Sequence, residues 1–308
     1  MKYSILTRSF MLLTALLLAC TVSARKPIKT LIVTGQNNHN WKVSHLVIKD
    51  ILENSGLFTV DWVVSPEKGQ DMSGFIIDFT PYELVVVDYN GDSWPQETMS
   101  RFEAFAGKGG GIVIYHAADN SFPDWVEYNK ICALGGWEGR DEKAGPYAYW
   151  YEGELRKDVS PGRGGSHGSQ HEYMMIAREN EHPVVNGLPN RWAHAKDELY
   201  DRMRGPANIG SLLYTAYSDT ATGGSGREEP LIFTVEYGKA RIFHTMLGHC
   251  GPSYENNVAM QCTGFQVTLL RGAEWAATGK VSQKVPPDFP TSTYITYRYD
   301  YKESTKEK

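Results

Sequence analysis

One glycine-rich and apolar run, ending on a histidine, limits most strongly what this chain can fold into. Residues 109–115 read Gly-Gly-Gly-Ile-Val-Ile-Tyr, and His116 follows before the sequence turns polar. An apolar run without alternation is typical of a parallel strand that is buried on both faces. In an open α/β sheet, ligands bind just beyond the carboxyl ends of such strands. His116 is therefore the first candidate for a functional residue.

The flanking sequence predicts a doubly wound α/β fold. Further strands are expected at residues 30–34, 59–64, 84–87, 211–217, 231–236 and 240–246, with a loop at 220–229. Helices are expected at about residues 42–54, from Pro95, from Ser121 to Gly135, and at about 258–277. Strands that alternate with helices in this way favour a largely parallel sheet covered by helices.

The segment 137–206 breaks this pattern with glycine, proline, histidine and many aromatic residues. We interpret it as a long insertion or lid over the sheet edge, because loops of this length are usually functional. Its aromatic rings, Trp150 among them, could stack on a sugar or could pack under the loop. We take Trp150 as a candidate for substrate binding.

Three predicted strand ends carry polar side chains, and they share one edge of a parallel sheet. Candidate binding residues follow the first strand and the glycine-rich strand: Gln36, Asn37, His39 and Asp119. His249 follows the last strand. We expect His39, His116 and His249 to face a common cavity. Asp119 could instead cap the helix predicted from Ser121.

Five motifs together resemble the ThuA-like (trehalose-utilisation) family. They lie at residues 110–116, 182–189, 197–200 (Asp-Glu-Leu-Tyr), 243–249 and 271–277. The family is similar to class I glutamine amidotransferases, which implies a three-layer α/β/α sandwich of flavodoxin-like type. The resemblance implies one such domain over residues 29–280, followed by a C-terminal tail at 281–308. The family's links to trehalose and 3-keto-sugars suggest a role in carbohydrate metabolism.

The chain departs from the amidotransferases at the catalytic turn. Those enzymes place a nucleophilic cysteine after the equivalent strand, whereas this chain has Tyr-His-Ala at 115–117. We therefore do not expect thiol-dependent glutamine hydrolysis. His249 resembles the family's later histidine, and Glu198 lies in the Asp-Glu-Leu-Tyr motif. We predict that His116, His249 and Glu198 are catalytic, as acid–base groups or metal ligands.

A metal site is a second possibility in the same region. His167 and His171 lie in a glycine-rich segment whose composition suits a metal, and His116, His249 and Glu198 complete the set of candidate ligands. Histidine and glutamate are ligands that Zn²⁺ and similar divalent ions accept. No Gly-x-Gly-x-x-Gly follows the first strand, so a dinucleotide cofactor is not expected.

Two functions remain open at this point. The first is an enzyme that abstracts a proton beside the carbonyl of a sugar or 3-keto-sugar. The second is a non-catalytic carbohydrate-binding or partner protein that kept the fold and lost the nucleophile. In both cases the expected partner is a small carbohydrate, and the sequence does not determine the oligomeric state.

The N-terminus is predicted to direct export from a bacterial cytoplasm. Lys2 and Arg8 precede an apolar stretch at residues 11–19 that is too short to span a bilayer as a mature helix. Cleavage could follow Val-Ser-Ala at 22–24, or the Leu-Leu-Ala-Cys at 17–20 could be a lipobox with Cys20 lipidated. The mature protein would be periplasmic, or a lipoprotein attached to the membrane only through its lipid anchor.

The charge balance argues against nucleic acid as a partner. Removing residues 1–24 deletes two positive charges and no negative ones, so the net charge moves from −5 to −7. An acidic chain without a basic cluster is poorly suited to bind a phosphate backbone.

Overall fold

The glycine-rich run forms a central strand of a large mixed sheet. A computed structural model of the chain describes residues 26–251 and 257–298. The predicted signal segment, residues 1–24, lies outside the described residues, so export and lipidation stay predictions. The described helices are α1 (Trp41–Asn54), α2 (Gln96–Gly107), α3 (Val126–Cys132), α4 (Val258–Gln261) and α5 (Thr263–Thr278).

Thirteen strands are found in the described part of the chain. The first four and the last three include all the strands predicted from sequence: β1 (Ile28–Thr34), β2 (Phe58–Val64), β3 (Leu84–Val87), β4 (Gly111–Tyr115), β11 (Ile209–Tyr217), β12 (Glu228–Tyr237) and β13 (Ala240–Thr245). Six more lie between them: β5 (Tyr147–Tyr151), β6 (Glu154–Asp158), β7 (Ser166–His167), β8 (His171–Ala177), β9 (Arg191–Asp197) and β10 (Tyr200–Asp201).

The sheet is parallel in one half and antiparallel in the other. Its strand order is β2-β1-β3-β4-β13-β12-β11-β8-β9. Strands β2, β1, β3, β4 and β13 run parallel, so the ends of β1, β4 and β13 meet at one edge. The remaining pairs, β13–β12, β12–β11, β11–β8 and β8–β9, are antiparallel. Strands β5 and β6 branch from β12, and β7 pairs with β10 in a small second sheet.

Helices cover both faces of the sheet, as two adjacent glycines show. A Cβ on Gly110 would lie 2.4 Å from the Phe105 ring of α2, and a Cβ on Gly111 would lie 2.6 Å from the Ala276 backbone of α5. Neighbouring residues of an extended chain point to opposite faces. Helices α2 and α5 therefore pack on opposite sides of β4, which gives the predicted α/β/α sandwich.

Two predicted helices differ from the structure. The helix expected from Ser121 is replaced by a 3₁₀ turn at His116–Asn120 and by α3, which starts only at Val126. Phe122 between them has φ of 49°, which a continuous right-handed helix does not allow. The long last helix is broken at Cys262, where ψ is 122°, so α4 and α5 are separate.

The insertion contains far more regular structure than the sequence indicated. It holds strands β5 to β10, and β8 and β9 extend the main sheet. The expectation of a segment without strands was therefore wrong. Strand β6 is mostly exposed and polar, and β9 buries His194 and Asp197. Polar residues of this kind hide the alternation by which strands are recognised.

The segment 281–298 lies against the sandwich. Phe289 is buried with its ring 5.5 Å from that of Trp192, and the amide of Ala193 donates to the carbonyl of Thr291 at 2.9 Å. None of the helices in the described ranges combines the length and apolar character that a membrane crossing needs.

Candidate functional site

Four histidines surround one carboxylate at the carboxyl edge of the parallel strands. Measured to the nearest oxygen of Glu198, the Nε2 distances are 3.3 Å for His39, 3.7 Å for His116, 3.9 Å for His167 and 3.3 Å for His249. The first, second and fourth follow β1, β4 and β13, and Glu198 follows β9. We call these five residues the histidine cluster.

His116 lies at the centre of the histidine cluster and has an unusual backbone. It is 1% exposed and its φ is 45°, in the left-handed region that residues with a Cβ rarely adopt. Its Nδ1 lies 2.7 Å from the carbonyl oxygen of Met246 in the segment after β13. A carbonyl only accepts, so Nδ1 carries the hydrogen. Nε2 faces Glu198 and the hydroxyl of Tyr200, which is 3.1 Å away, and it is an acceptor in the neutral ring and a donor in the protonated ring.

Two other histidines of the cluster are oriented in the same way. Nδ1 of His39 lies 3.3 Å from the side-chain oxygen of Asn37, and Nδ1 of His167 lies 2.7 Å from the carbonyl of Gly168. Each of these oxygens accepts the Nδ1 hydrogen, so Nε2 is left as the acceptor. Histidines that bind metals are oriented by just such an Nδ1–H bond to a carbonyl or side-chain oxygen.

This orientation makes the centre of the cluster a place for positive charge. Where the rings are neutral, the Nε2 atoms and the oxygens of Glu198 are all acceptors, and the nearby hydrogens come from the Gln170 amide, the Tyr200 hydroxyl or a protonated His116. Such acceptors come close only when protons or a cation lie between them. The ligand atoms of His39, His116 and Glu198 lie within 4.8 Å of one another. The donor set, imidazole with one carboxylate, fits Zn²⁺ or another divalent first-row ion.

The charges of the cluster are shifted by burial and by one another. Burial would raise the pKa of Glu198, but His116 and His39 hold it well below its usual range. Burial would lower the pKa of His116, but Glu198 and Asp197 raise it. Burial, and then the charge of His116, lower the pKa of His249 to about 4. The carboxylate therefore stays ionised, and His249 is neutral at pH 7.

Asp197, next to Glu198 in sequence, holds the segment that carries His249. Its Oδ2 accepts from the amide of Gly248 at 2.7 Å, and its Oδ1 accepts from the amide of His249 at 3.0 Å. The buried His194 is paired with Oδ2 at 2.8 Å. The end of β9 thus fixes the end of β13, and the two catalytic candidates Glu198 and His249 are positioned together.

A small cavity of about 160 Å³ opens onto the cluster. Three cluster residues line it, His39, His167 and Glu198, whereas His116 and His249 are not among its lining residues. The rest of the wall is three amide side chains, two aromatic rings and one carboxylate: Asn38, Asn90, Asn120, Trp137, Tyr200 and Glu138. The Tyr200 ring is stacked on His116 with centroids 4.6 Å apart, and Trp137 lies against its edge at 4.7 Å. Side-chain amides can hydrogen-bond the hydroxyl groups of a sugar, and an aromatic ring can pack against an apolar face of the sugar ring, so this cavity wall is suited to a sugar.

Comparison with known proteins identifies the family. A family model for ThuA, described as trehalose utilisation, matches residues 29–276. The chain belongs to the ThuA family. This membership connects it with carbohydrate metabolism in general, and it confirms the resemblance seen in the five motifs.

Two solved structures of ThuA-like proteins resemble the chain. One from Parabacteroides merdae ATCC 43184 is 71% identical, with a TM-score of 0.89 over 90% of this chain and 100% of its own. One from Bacteroides uniformis ATCC 8492 is 16% identical, with a TM-score of 0.51 over 84% of this chain and 95% of its own, and supports the fold alone. Comparison with curated proteins gave no match.

In this ThuA protein, the predicted binding residues Gln36 and Asn37 line a neighbouring cavity of about 380 Å³ that shares Asn38, Asn90 and Glu138 with the first. Gln36 donates to the Pro66 carbonyl at 2.8 Å, and Asn37 donates to the buried Asp88 at 3.3 Å while it orients His39. Asp119 is fully buried, with an oxygen 3.6 Å from Nε2 of His244, and lines neither cavity.

Two other candidates lie apart from the cluster. Trp150 is in β5, where the guanidinium of Arg178 lies 5.0 Å from its ring, and it does not line the 160 Å³ cavity. Nδ1 of His171 bonds the Ser169 carbonyl at 2.8 Å, and its ring lies 5.7 Å from that of Tyr173. Of the predicted metal pair, the structure brings only His167 to Glu198.

Several residues of the site were missed by the sequence reasoning. Tyr200 belongs to the family motif at 197–200, but its contact with His116 has no signal in the sequence. Gln170, whose Nε2 lies 3.4 Å from Glu198 and from both ring nitrogens of His249, was also missed. Trp137 was grouped with the other aromatics of the insertion, and only the fold shows that it faces the cavity.

Proposed function

We propose that the chain is an enzyme acting on a sugar or 3-keto-sugar, with the histidine cluster as a divalent metal centre. The observation that carries the proposal is the set of four imidazole Nε2 atoms within 4 Å of one buried carboxylate, with the ligand atoms of His39, His116 and Glu198 within 4.8 Å of one another. Imidazole nitrogens and one carboxylate are a donor set that Zn²⁺ and similar ions accept, so this arrangement supports a bound cation.

The cluster residues divide naturally into ligands and a proton acceptor. The ligand atoms of His39, His116 and Glu198 all lie within 4.8 Å of one another, and these three residues are the proposed ligands. When bound, the metal would polarise a carbonyl or hydroxyl oxygen of the sugar. The side chain of His249 is 20% exposed and is fixed through its backbone by Asp197. It is the proposed group that takes a proton from the carbon beside the carbonyl.

The cavity is the proposed sugar site. Its volume lies below the range of roughly 300–1,000 Å³ that larger ligands need, which favours a single sugar ring next to the cluster. Asn38, Asn90 and Asn120 would bond hydroxyl groups, and Trp137 would lie against an apolar face of the ring.

Proton abstraction can be measured directly as exchange of the substrate proton with solvent deuterium. We expect the metal-loaded protein to exchange the proton beside the carbonyl of a 3-keto-glucoside in D₂O, measured by NMR. His116→Ala should slow exchange by roughly 10²–10⁴-fold, because it removes a central group of the cluster. Trp137→Ala should raise KM more than it lowers kcat. His182→Ala, whose ring packs 4.8 Å from Trp275 away from the cluster, is the matched control.

The amide-rich cavity also supports the second function, a non-catalytic carbohydrate-binding protein. Saturable sugar binding by calorimetry, without exchange in the metal-loaded protein, would reject the enzyme and favour the binding protein.

A further inference from the structure

A second polar cavity, of about 470 Å³, lies within the insertion and shares no lining residue with the sugar cavity. It lies among the β5–β6 hairpin, the segment after β6 and the segment before β12. Four arginines line it, Arg163, Arg202, Arg204 and Arg227, and Asp158 is the only carboxylate among its lining residues. We call it the arginine cavity.

Arg204 is the most informative of these residues because it is buried. It is 4% exposed, and its Nη atoms donate to the carbonyls of Gly145 at 3.2 Å and Ser160 at 2.7 Å. Its Nε has no hydrogen-bond partner, and within the described residues no carboxylate lies within 4.0 Å of it. A buried guanidinium bonded only to carbonyls has no direct counter-ion, and its charge acts on Glu142 and Asp158 only from beyond 4.0 Å, so an anion that joins it would be stabilising.

Two of the other arginines also have no carboxylate within 4.0 Å among the residues that the structure describes. The guanidinium of Arg227 stacks on the Tyr149 ring, 3.9 Å from its centroid. Stacking orients the guanidinium plane, and the N–H groups at the edge of that plane can still donate to a ligand. Arg163 is exposed, and its Nη2 donates to the hydroxyl of Ser166 at 3.3 Å. Arg202 is paired with Asp201 at 2.8 Å. Asp158 lines the cavity and is partly exposed, and Glu142, also partly exposed, accepts from the amide of Gly162 at 3.0 Å, so water screens both charges.

The small β7–β10 sheet separates this cavity from the histidine cluster. Tyr200 pairs with His167, and Asp201 pairs with Ser166 in the next register position. Successive side chains of a strand point to opposite faces. On one face, His167 belongs to the histidine cluster and Tyr200 contacts His116. On the other face, Asp201 contacts Arg202 and Ser166 contacts Arg163.

We propose that the arginine cavity binds an oxyanion, the phosphate or carboxylate group of a small molecule. Arginine presents a planar fork of donors that matches both groups, and several forks on one cavity wall are typical of anion recognition. The volume exceeds what an isolated phosphate needs and falls within the range of small-molecule sites. The site is distinct from the proposed sugar enzyme and does not depend on it.

Calorimetric titration of the whole mature protein tests this, with inorganic phosphate, glucose 6-phosphate and glucuronate as probes and neutral glucose as the reference. We expect saturable binding of at least one anion. The double variant Arg163→Gln, Arg227→Gln should weaken it roughly tenfold or more, because charge-assisted bonds are the strong ones. Both side chains are accessible enough for the fold to persist, whereas Arg204 is not. Phosphate and glucuronate distinguish the two ligand groups.

Two variants separate this site from other effects. Arg156→Gln removes an exposed arginine of β6 that is paired with Glu154 at 2.6 Å, and it should leave anion affinity unchanged. His116→Ala should also leave it unchanged, whatever happens to sugar turnover. The proposal is overturned if no anion binds saturably, or if the double variant binds the anion as tightly as the unaltered protein.

Discussion

Two buried glutamates, Glu198 and Glu229, differ in their charge because their surroundings differ. Glu198 keeps its negative charge because His116 and His39 compensate it. Glu229 in β12 has no such partner. It is 1% exposed, its Oε1 accepts from the hydroxyls of Tyr147 and Ser225, and its Oε2 has no partner. Burial raises its pKa from the ordinary 4.5 to about 8.

Glu229 should therefore make stability depend on pH. A group whose pKa is higher in the folded than in the unfolded state stabilises the fold fully below about pH 4.5. That contribution is lost as the pH rises through about 8. We expect the free energy of unfolding to fall by a few kcal/mol between pH 5 and pH 8. Urea unfolding at several pH values measures it, and Glu229→Gln should flatten the curve in part, because burial also raises the pKa of Asp88 to about 7 and that group contributes a slope of the same sign.

The control for this prediction lies on the same strand. Glu236→Gln changes an exposed carboxylate of β12 and should leave the slope as it is. If the curve of Glu229→Gln ran parallel to that of the unaltered protein, Glu229 would not be the buried titrating group.

At the scale of elements, the end of β9 fixes the segment after β13. Both oxygens of Asp197 are used, Oδ2 by the amide of Gly248 and by His194, and Oδ1 by the amides of His249 and Glu198. The catalytic candidates therefore depend on an edge strand of the insertion as well as on the parallel strands.

Asp197→Asn should show this dependence. An amide has a single acceptor oxygen, so at least one buried N–H loses its partner and His194 loses its counter-charge. We expect the free energy of unfolding at pH 7 to fall by roughly 2–5 kcal/mol, together with slower proton exchange. Asp61→Asn, with a side chain 58% exposed on β2, should change stability by less than about 0.5 kcal/mol. A variant Asp197→Asn as stable as this control would show that the bonds do not hold the segment.

The elements also show what could be predicted from the sequence. Strands β1, β3, β4 and β13 were predictable because they are apolar on both faces, and their common edge followed from parallel pairing. This reasoning brought His39, His116 and His249 together in advance, and their ring centroids are 4.7–5.8 Å apart, but of the three only His39 lines the 160 Å³ cavity. Strand β9 was missed because His194 and Asp197 are buried polar residues, which count against a core strand in any sequence pattern.

At the scale of the whole molecule, the site combines segments that are more than 200 residues apart in sequence, such as His39 and His249. Glu198 was recognised through its family motif and not through geometry, since nothing local indicates that four histidines surround it. Trp137 and the amides of Asn90 and Asn120 could be placed only by the fold. The antiparallel half of the sheet and the insertion thus complete a centre that the parallel half begins.

The central claim is that this centre holds a divalent metal ion, and the metal content of the purified protein tests it most directly. The protein is prepared without chelators or a metal-affinity tag and analysed by mass spectrometry for Zn, Mn, Fe, Co and Ni. The double variant His116→Ala, Glu198→Gln is compared with it, and His182→Ala is the control. We predict about one divalent ion per chain in the unaltered protein and in the control, and none in a double variant that keeps its circular dichroism spectrum. No stoichiometric ion in the unaltered protein, and no binding when Zn²⁺ is titrated into it, would contradict the account.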